Sequence, residues 1–596
     1  MFVVATAGHV DHGKSTLVRA LTGEEPDRWD EERRRGLTID LGFASAALPD
    51  GQVVAFVDVP GHQRFVPNML AGIGSVPAVM FVVAADDGWM PQSQEHLDAL
   101  VAAGVRDGIL VVSRTDLIGP EMALDEARTA LARTPLADMP AVAVSARTGD
   151  GVDELRSALM RLGTSLPTPD PRADVRLWVD RSFTIGGAGT VVTGTLGAGT
   201  VRVGDGLTVG ASGRTVTVRG VQSLGRDVQR MSAMARVALN LRGVPADEVT
   251  RGAALLTPGR WRGAAQVDVR VAAAVEGFPE QMVAHCGSAA TAVHVRPLWG
   301  SAHSQGVVCW ARLTLAEQLP LRVGDRLILR DPGAHRIPAG VVVLDPAPPE
   351  LRRRGDGRRR ADVLADVPDM PSLASELSRR GYAHADDLRA WGVRDVPDSA
   401  ENGGWLLDGE AASCYAARLA EFVRDDARRN PLARGVPEEA ARKQLGLPDA
   451  RLLPVVLERP EARALAVADG RIRPAGAGSA LPAAVEGAAD RLQERLRADP
   501  FAAPPAAELS ELGLGKRELA ACARAGMFTE IGPGVWLGAD AVEEAVEALR
   551  DLPQPFTPSE ARTRLGSSRR VVMPLLELLA RRGLTRRDGD DGHVIV

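Results

Sequence analysis

The sequence predicts a multidomain chain: a P-loop α/β domain, two β-barrels, and a tail of four small winged-helix units. Three observations predict it. GHVDHGKS at residues 8–15 follows the apolar run at 2–6 and opens a helical pattern at 15–21, the setting of a phosphate cradle. After the proline-rich stretch at 167–171, short Val- and Thr-rich runs alternate with glycine turns, which suits small barrels. From about 360 onward, short amphipathic helical stretches alternate with brief strand signals such as GGWLL at 403–407 and GVWL at 534–537, the pattern of helix-turn-helix units with β wings. The expected extents are 1–172 for the α/β domain, 173–257 and 263–346 for the barrels, and 360–430, 431–478, 484–540 and 545–596 for the four units.

Composition sets limits on function. With 71 basic against 77 acidic residues the net charge is −6, so any nucleic-acid binding must be local. The four cysteines are widely spaced and form no CxxC, which argues against a disulfide framework or a zinc site and fits a reducing compartment. The chain starts in strand and loop, not in a basic and apolar leader, and no apolar run reaches about 18 residues. A soluble cytoplasmic protein with no membrane partner is expected.

In the cradle, Gly8 and Gly13 let backbone N–H groups of the Asp11, His12, Gly13 and Thr16 segment turn toward phosphate oxygens, helped by the positive pole of the helix that follows. Lys14 reaches the β- and γ-phosphates, and the Ser15 hydroxyl ligates Mg²⁺. Lys14 is one of only three lysines, with Lys443 and Lys516. A compact ammonium fits inside the loop where a planar guanidinium would clash.

Apolar runs at 53–59, 78–84, 108–112 and 141–144 alternate with helical stretches, which reads as a mostly parallel sheet with site loops at the strands' carboxyl ends. DVPGH at 58–62 follows one run, with Asp58 holding Mg²⁺ through water and the Gly61 N–H sensing the γ-phosphate. RGLTID at 35–40 places Thr38 to donate its hydroxyl to Mg²⁺. SRTD at 113–116 departs at Ser113 and Arg114 from the Asn-Lys-x-Asp of guanine-binding folds and retains Asp116 for the guanine N1 and N2 donors. The Arg114 stem can stack on the base. Ser145, Ala146 and Arg147 supply the contact to the guanine oxygen.

GHVDHGKS, RGLTID and DVPGH together resemble the translational P-loop GTPases of the elongation factor Tu class. That resemblance implies GTP/GDP and Mg²⁺ as ligands. It implies that His62 orients the attacking water, and that Val10 and Leu37 form an apolar gate holding His62 back until the ribosome triggers it. In this class the first barrel holds the aminoacyl end of tRNA against the GTPase domain.

The barrels carry an internal echo, VRVGDGLTV at 201–209 and LRVGDRLIL at 321–329, read as strand, Gly-Asp turn and strand once per barrel. WVDRSFTIGGAGTVVTGT at 178–195, with ARVALNLRG at 235–243, resembles the selenocysteine-specific elongation factors. Selenocysteine is an anion at neutral pH and serine is not, so a pocket of Arg181 and Arg236, beside Asp180, would favour the selenocysteyl form.

The run RRRGDGRRR at 352–360 reads as a basic linker, a solvated hinge or a segment brushing RNA. NPLARGVPEE at 430–439 resembles the start of the second tail unit in this family. In the last unit, Thr557 caps a first helix, and Ser567 or Ser568 caps a second with Arg569 and Arg570 in its first turn. The helix dipole disfavours cations there, so an external anion such as RNA phosphate explains them better. Residues 557–596 hold eight arginines against five acidic residues, with Arg586 and Arg587 near the wing. The resemblance implies that this unit grips an mRNA hairpin recoding UGA. Pro574 should kink the second helix.

The resemblance therefore implies a monomer that carries selenocysteyl-tRNA to the ribosome, with GTP hydrolysis releasing the tRNA. A general elongation factor would not need this tail, nor would an initiation-type factor. A DNA-binding regulator using GTP as a switch is the alternative of a different class, separable by titration with duplex DNA against an RNA hairpin.

Overall fold

The computed structural model describes residues 1–25, 40–62, 65–74, 76–187, 189–210, 212–276, 279–299, 307–398, 401–476, 481–589 and 592–596. It divides into two compact units, residues 1–400 and 401–596.

The first unit opens with a six-stranded sheet: β1 (Phe2–Ala7), β2 (Gly42–Ala47), β3 (Val53–Asp58), β4 (Ala78–Ala84), β5 (Asp107–Ser113) and β6 (Ala141–Ala143), in the order β2-β3-β1-β4-β5-β6. All pairs are parallel except β2 with β3. β1 and β4 are buried at every position, as a strand covered on both faces must be. The covering helices are α1 (Lys14–Thr22), α2 (Val66–Ile73), α3 (Pro91–Ala103), α4 (Glu121–Leu131) and α5 (Val152–Ser165). α5 buries Val152, Leu155, Ala158, Leu159 and Leu162, one helical stripe.

Barrel one is built from β7 (Arg176–Ile185), β8 (Gly189–Leu196), β9 (Thr200–Arg202), β10 (Gly206–Val209), β11 (Thr215–Ser223), β12 (Arg226–Val228), β13 (Arg230–Ser232), β14 (Ala235–Arg242) and β15 (Ala254–Leu256). Its main sheet runs β10-β15-β7-β8-β14-β11-β12, and a β10–β11 pairing closes it on itself. Barrel two is closed in the order β16-β19-β18-β17-β20-β21 from β16 (Gly263–Glu276), β17 (Gln281–Cys286), β18 (Ala289–Leu298), β19 (Val307–Pro320), β20 (Arg326–Asp331) and β21 (Arg336–Asp345). β18 alternates buried and exposed positions along most of its length, one face to the barrel interior.

The sequence echo is a structural one, though not a hairpin. β9 pairs with β13, whereas β10 pairs with β15 and β11. What repeats is a turn in which an aspartate accepts the N–H three residues back: Arg202 N to Asp205 Oδ2 at 2.8 Å, and Arg322 N to Asp325 Oδ2 at 2.7 Å. The same turn hands its Gly N–H to Val218 O in one barrel and to Val343 O in the other, each at 2.8 Å.

The expected basic linker is folded. Residues Asp356–Ala365 form α6, and Leu373–Arg380 form α7. Arg360 is 7% exposed and bonds Asp268 and Asp345. Arg379 and Arg380 also bond Asp345 and share Glu376. Buried carboxylates on the barrel wall therefore turn these arginines inward. Residues through 400, including α6 and α7, belong to the first compact unit.

Among the described residues of 401–596, three small helical bodies each carry a β wing. The first is built on α8 (Gly409–Arg429), which packs on Leu453–Leu457 and on a three-stranded wing of Val436–Pro437, Leu465–Ala468 and Arg471–Pro474. The helix at 409–429 thus belongs with the residues after it. The second and third bodies have wings Phe528–Gly532 with Val535–Gly538, and Thr585–Asp588 with Gly592–Ile595. Ile531, Val535 and Leu537 share one buried cluster with Val571, Leu575 and Leu579, so these two bodies are fused through a common core.

Candidate functional site

The loop between β1 and α1 is shaped by close approach. Gly8 has φ +127°, and a Cβ there would stand 2.1 Å from Val82 O. Its N–H donates to His96 Nδ1 on α3 at 3.1 Å, and the Val10 N–H donates to Gln92 Oε1 at 3.0 Å. Lys14 is buried and curls under the loop, donating to Gly8 O at 3.0 Å and His9 O at 2.7 Å. Burial holds the His96 imidazole beneath the loop down to about 3 and the His12 imidazole within it down to about 4, so both are neutral.

Asp58 ends β3 fully buried. It accepts from Thr6 Oγ1 at 2.6 Å and from Ser15 Oγ at 2.7 Å. Burial pushes its carboxyl up, against these hydrogen bonds and the Lys14 ammonium. A hydroxyl and a carboxylate meeting at the loop's mouth are hard oxygen donors of the kind Mg²⁺ takes, so the residues fit that ion. Gly61 lies against the loop: a Cβ there would come 2.8 Å from Lys14 Nζ and 2.8 Å from Val10 N. The next residue, the exposed His62, therefore starts beside Val10 and Lys14 of the loop, its ring 6.0 Å from that of Phe65. Thr38 and Leu37 lie outside the described residues.

At the end of β5, Ser113 Oγ donates to His12 O at 2.7 Å, tying the base-side strand to the phosphate loop. Arg114 takes φ +57° and bonds Asp11 O and Asp86, the latter at 3.0 Å. Ser113 and Arg114 together thus tie the strand to the loop. Asp116 accepts from Ser145 Oγ at 2.7 Å and pairs with Arg147 at 3.1 Å. The Ser145 hydroxyl, with Arg147 assisting, lowers its carboxyl, which keeps it ionised. Ala146 sits between these partners, and Thr16 lies exposed in the first turn of α1.

Asp180, Arg181 and Arg236 come together with a residue that sequence reasoning missed. Phe43 of β2 carries Arg236 over its ring at 3.8 Å and Arg181 at 5.2 Å. Arg236 makes a two-pronged pair with Asp180, one arm at 2.6 Å, while Thr193 Oγ1 donates to the same carboxylate at 2.6 Å. Arg181 bonds Leu41 O and pairs with Asp40 at 3.1 Å. A cavity of about 400 Å³ opens here between the sheet and barrel one, with Phe43, Arg181, Phe183, Thr193, Leu224 and Arg236 on its walls. Phe43 carries no motif, and only the packing of β2 on the barrel reveals it.

In the last body, Arg569–Arg581 form α9. Ser568 stands at the cap position without a side-chain cap bond, and Ser567 Oγ instead donates to Phe501 O at 2.5 Å. The expected serine cap is corrected accordingly: the hydroxyl ties the body to the one before it. Arg569 and Arg570 are in the first turn and exposed, with Arg570 Nη2 also bonded to Pro504 O at 3.0 Å. Arg586 and Arg587 are exposed on the wing strand. The helix runs on through Pro574, whose ring lies against Gly532 of the preceding wing, where a Cβ would come within 2.6 Å. Proline there fills the seam between the fused bodies.

A family model for the elongation factor Tu GTP-binding domain matches residues 1–165. One for the β-barrel domain of selenocysteine-specific elongation factors matches 269–350, and one for the winged helix of elongation factor SelB matches 547–594. The chain is 30% identical to a selenocysteine-specific elongation factor of Desulfomicrobium baculatum, with 99% of each covered. It is 30% identical to that of Escherichia coli, covering 99% of this chain and 98% of the relative. Among solved structures, a bacterial selenocysteine-specific elongation factor EF-Sec superposes with a TM-score of 0.70 at 27% identity, covering 100% of this chain and 99% of the other. Among the described residues, no helix is long and apolar enough to cross a membrane.

Proposed function

The chain belongs to the selenocysteine-specific elongation factors, GTP-hydrolysing translation factors, and from that premise we propose that it delivers selenocysteyl-tRNA to the ribosome at recoded UGA codons. The observation that carries this reading is the cavity in which Phe43 of the GTPase domain lies under Arg236 and Arg181 of barrel one. A guanidinium pair on an aromatic floor, part-buried, suits a small anionic side chain presented at a domain seam.

At the other end of the site, the loop N–H groups from Asp11 to Thr16 and the Lys14 ammonium hold the phosphates of GTP. Ser15, Thr38 and, through water, Asp58 would hold Mg²⁺. When bound, that ion neutralises charge building on the β- and γ-phosphate oxygens. Asp116, with Ser113, Arg114, Ser145, Ala146 and Arg147 around it, reads the guanine donors. His62 orients the attacking water, and Gly61 fixes its distance from the γ-phosphate position. Arg569, Arg570, Arg586 and Arg587 contact the backbone of an mRNA hairpin, tethering the factor near its codon.

The test is protection of the ester bond. With GTP present, the factor should slow hydrolysis of selenocysteyl-tRNA strongly and that of the seryl form of the same tRNA far less. Equal protection of both would remove the arginine pocket, and protection of neither would remove the tRNA.

A further inference from the structure

The two pocket arginines each have a carboxylate, and those carboxylates come from different domains. Asp180, 8% exposed, pairs with Arg236 within barrel one and is bound by Thr193 as well. That pair is part of the barrel wall. Arg181 reaches across the seam to Asp40 and Leu41, which stand immediately before β2. Asp40 lies two residues from Thr38, and Gly42, the first residue of β2, is in register with Asp58. A second barrel arginine converges on the same point. Arg251 lies 3.6 Å from the other Asp40 oxygen and donates to Asn68 Oδ1 at 2.9 Å, on the helix that follows DVPGH. Barrel one therefore holds, through two arginines, both Asp40 before β2 and Asn68 on the helix after DVPGH.

Resting on the aminoacyl-pocket reading above, we propose that Asp40 is an internal competitor for Arg181, so that this residue sets in which nucleotide state the pocket accepts an anion. While Asp40 holds Arg181, an entering selenolate meets two arginines that are both already neutralised, together with a carboxylate that repels it. Arg236 cannot be uncovered without breaking the barrel's own pair. Arg181 is uncovered when Asp40 shifts, and Asp40 stands two residues after Thr38, the proposed Mg²⁺ ligand. A neutral seryl group is indifferent to the exchange. Discrimination between the two aminoacyl forms is therefore greater with GTP than with GDP. By linkage, selenocysteyl-tRNA strengthens GTP binding relative to GDP by the same factor.

The experiment measures the affinity of the full chain for selenocysteyl-tRNA and for seryl-tRNA, each with GDP and with a GTP analogue that resists hydrolysis. Asp40→Asn should raise selenocysteyl-tRNA affinity of the GDP form by about 10-fold, within the usual range of a coupling between sites, and leave seryl-tRNA affinity unchanged. Asp40→Glu, which keeps the charge, should retain the nucleotide dependence. Arg181→Met reports on the pocket itself and should abolish preference for the selenocysteyl form. If Arg181→Met abolishes that preference while Asp40→Asn leaves the GDP form unchanged, or Asp40→Glu behaves as Asp40→Asn, the competition is overturned and the pocket stands. If Arg181→Met keeps the preference, the pocket reading falls and the competition with it.

Discussion

Asp345→Asn should loosen residues 356–398 from barrel two. Asp345 is 0% exposed and accepts from Arg360, Arg379 and Arg380, whose side chains are 7%, 6% and 14% exposed. With Arg312, these make four arginines around three carboxylates, the others being Asp268 and Glu376. Removing one charge leaves two carboxylates for four buried or nearly buried guanidiniums. Breaking a buried pair in this way typically costs about 3–5 kcal/mol. A second figure comes from protonation. The guanidiniums of Arg380, Arg379 and Arg360 outweigh the opposing effect of burial and hold the Asp345 carboxyl down at about 2, against an ordinary 3.8. That difference corresponds to roughly 2 kcal/mol. Because the folded value lies below the unfolded one, this stability is present above pH 3.8 and is lost as pH falls through about 2. The assay is urea unfolding of the full chain together with hydrogen exchange over 356–398, since a chain of several domains need not unfold in one step. The variant should lose about 2–5 kcal/mol in that segment and lack the acid limb of the wild type. A loss below about 1 kcal/mol with unchanged exchange would refute the claim that this network fastens the segment.

Three further outcomes are expected. His96→Ala strands the Gly8 N–H without its acceptor, a loss of about 1–3 kcal/mol, so GTP and GDP should each bind about 10-fold more weakly by fluorescent-nucleotide titration. His96→Asn should recover part of that. The neutral His12 and His96, held to about 4 and about 3 when folded against 6.5, take up protons only on unfolding between those values. The stability of the GTPase domain should therefore be full above about pH 6.5 and fall as pH drops toward 4, followed by thermal melts across that range, and the double variant His12→Gln with His96→Gln should flatten the slope. Arg569→Ala should weaken hairpin binding by about 10-fold without moving the melting temperature, and reduce the salt slope by about one charge. Arg570→Ala should lower both affinity and melting temperature, because Arg570 also holds Pro504 O. Equal melting for the two variants would contradict that second role.

The nucleotide loop was legible because its chemistry is contained in a few consecutive residues. A glycine at φ +127°, a lysine inside the loop and a serine at the helix start have to be neighbours in the chain, so the text shows them. The repeated Gly-Asp turn was legible for the same reason. Its aspartate bonds an N–H only three residues away, yet which strands it joined was not visible, since β9 and β10 take partners elsewhere. In the run at 352–360 only Arg360 departs from a solvated reading, because an arginine reads the same whether solvated or buried. Only Asp268 and Asp345, 92 and 15 residues away from Arg360, decide that it is buried.

By itself, then, the sequence determined the sheet with its phosphate loop, the change to barrels after residue 171, the winged tail, and the types of side chain available for each task. Tertiary structure alone decided which charges cancel. His96 under Gly8, Phe43 under the two arginines, Asp40 on Arg181 and Pro574 against Gly532 are each pairings of residues far apart in the chain. Local pattern is set by backbone geometry over a few residues, whereas the partner of a buried charge or ring is set by whichever surface the fold brings against it.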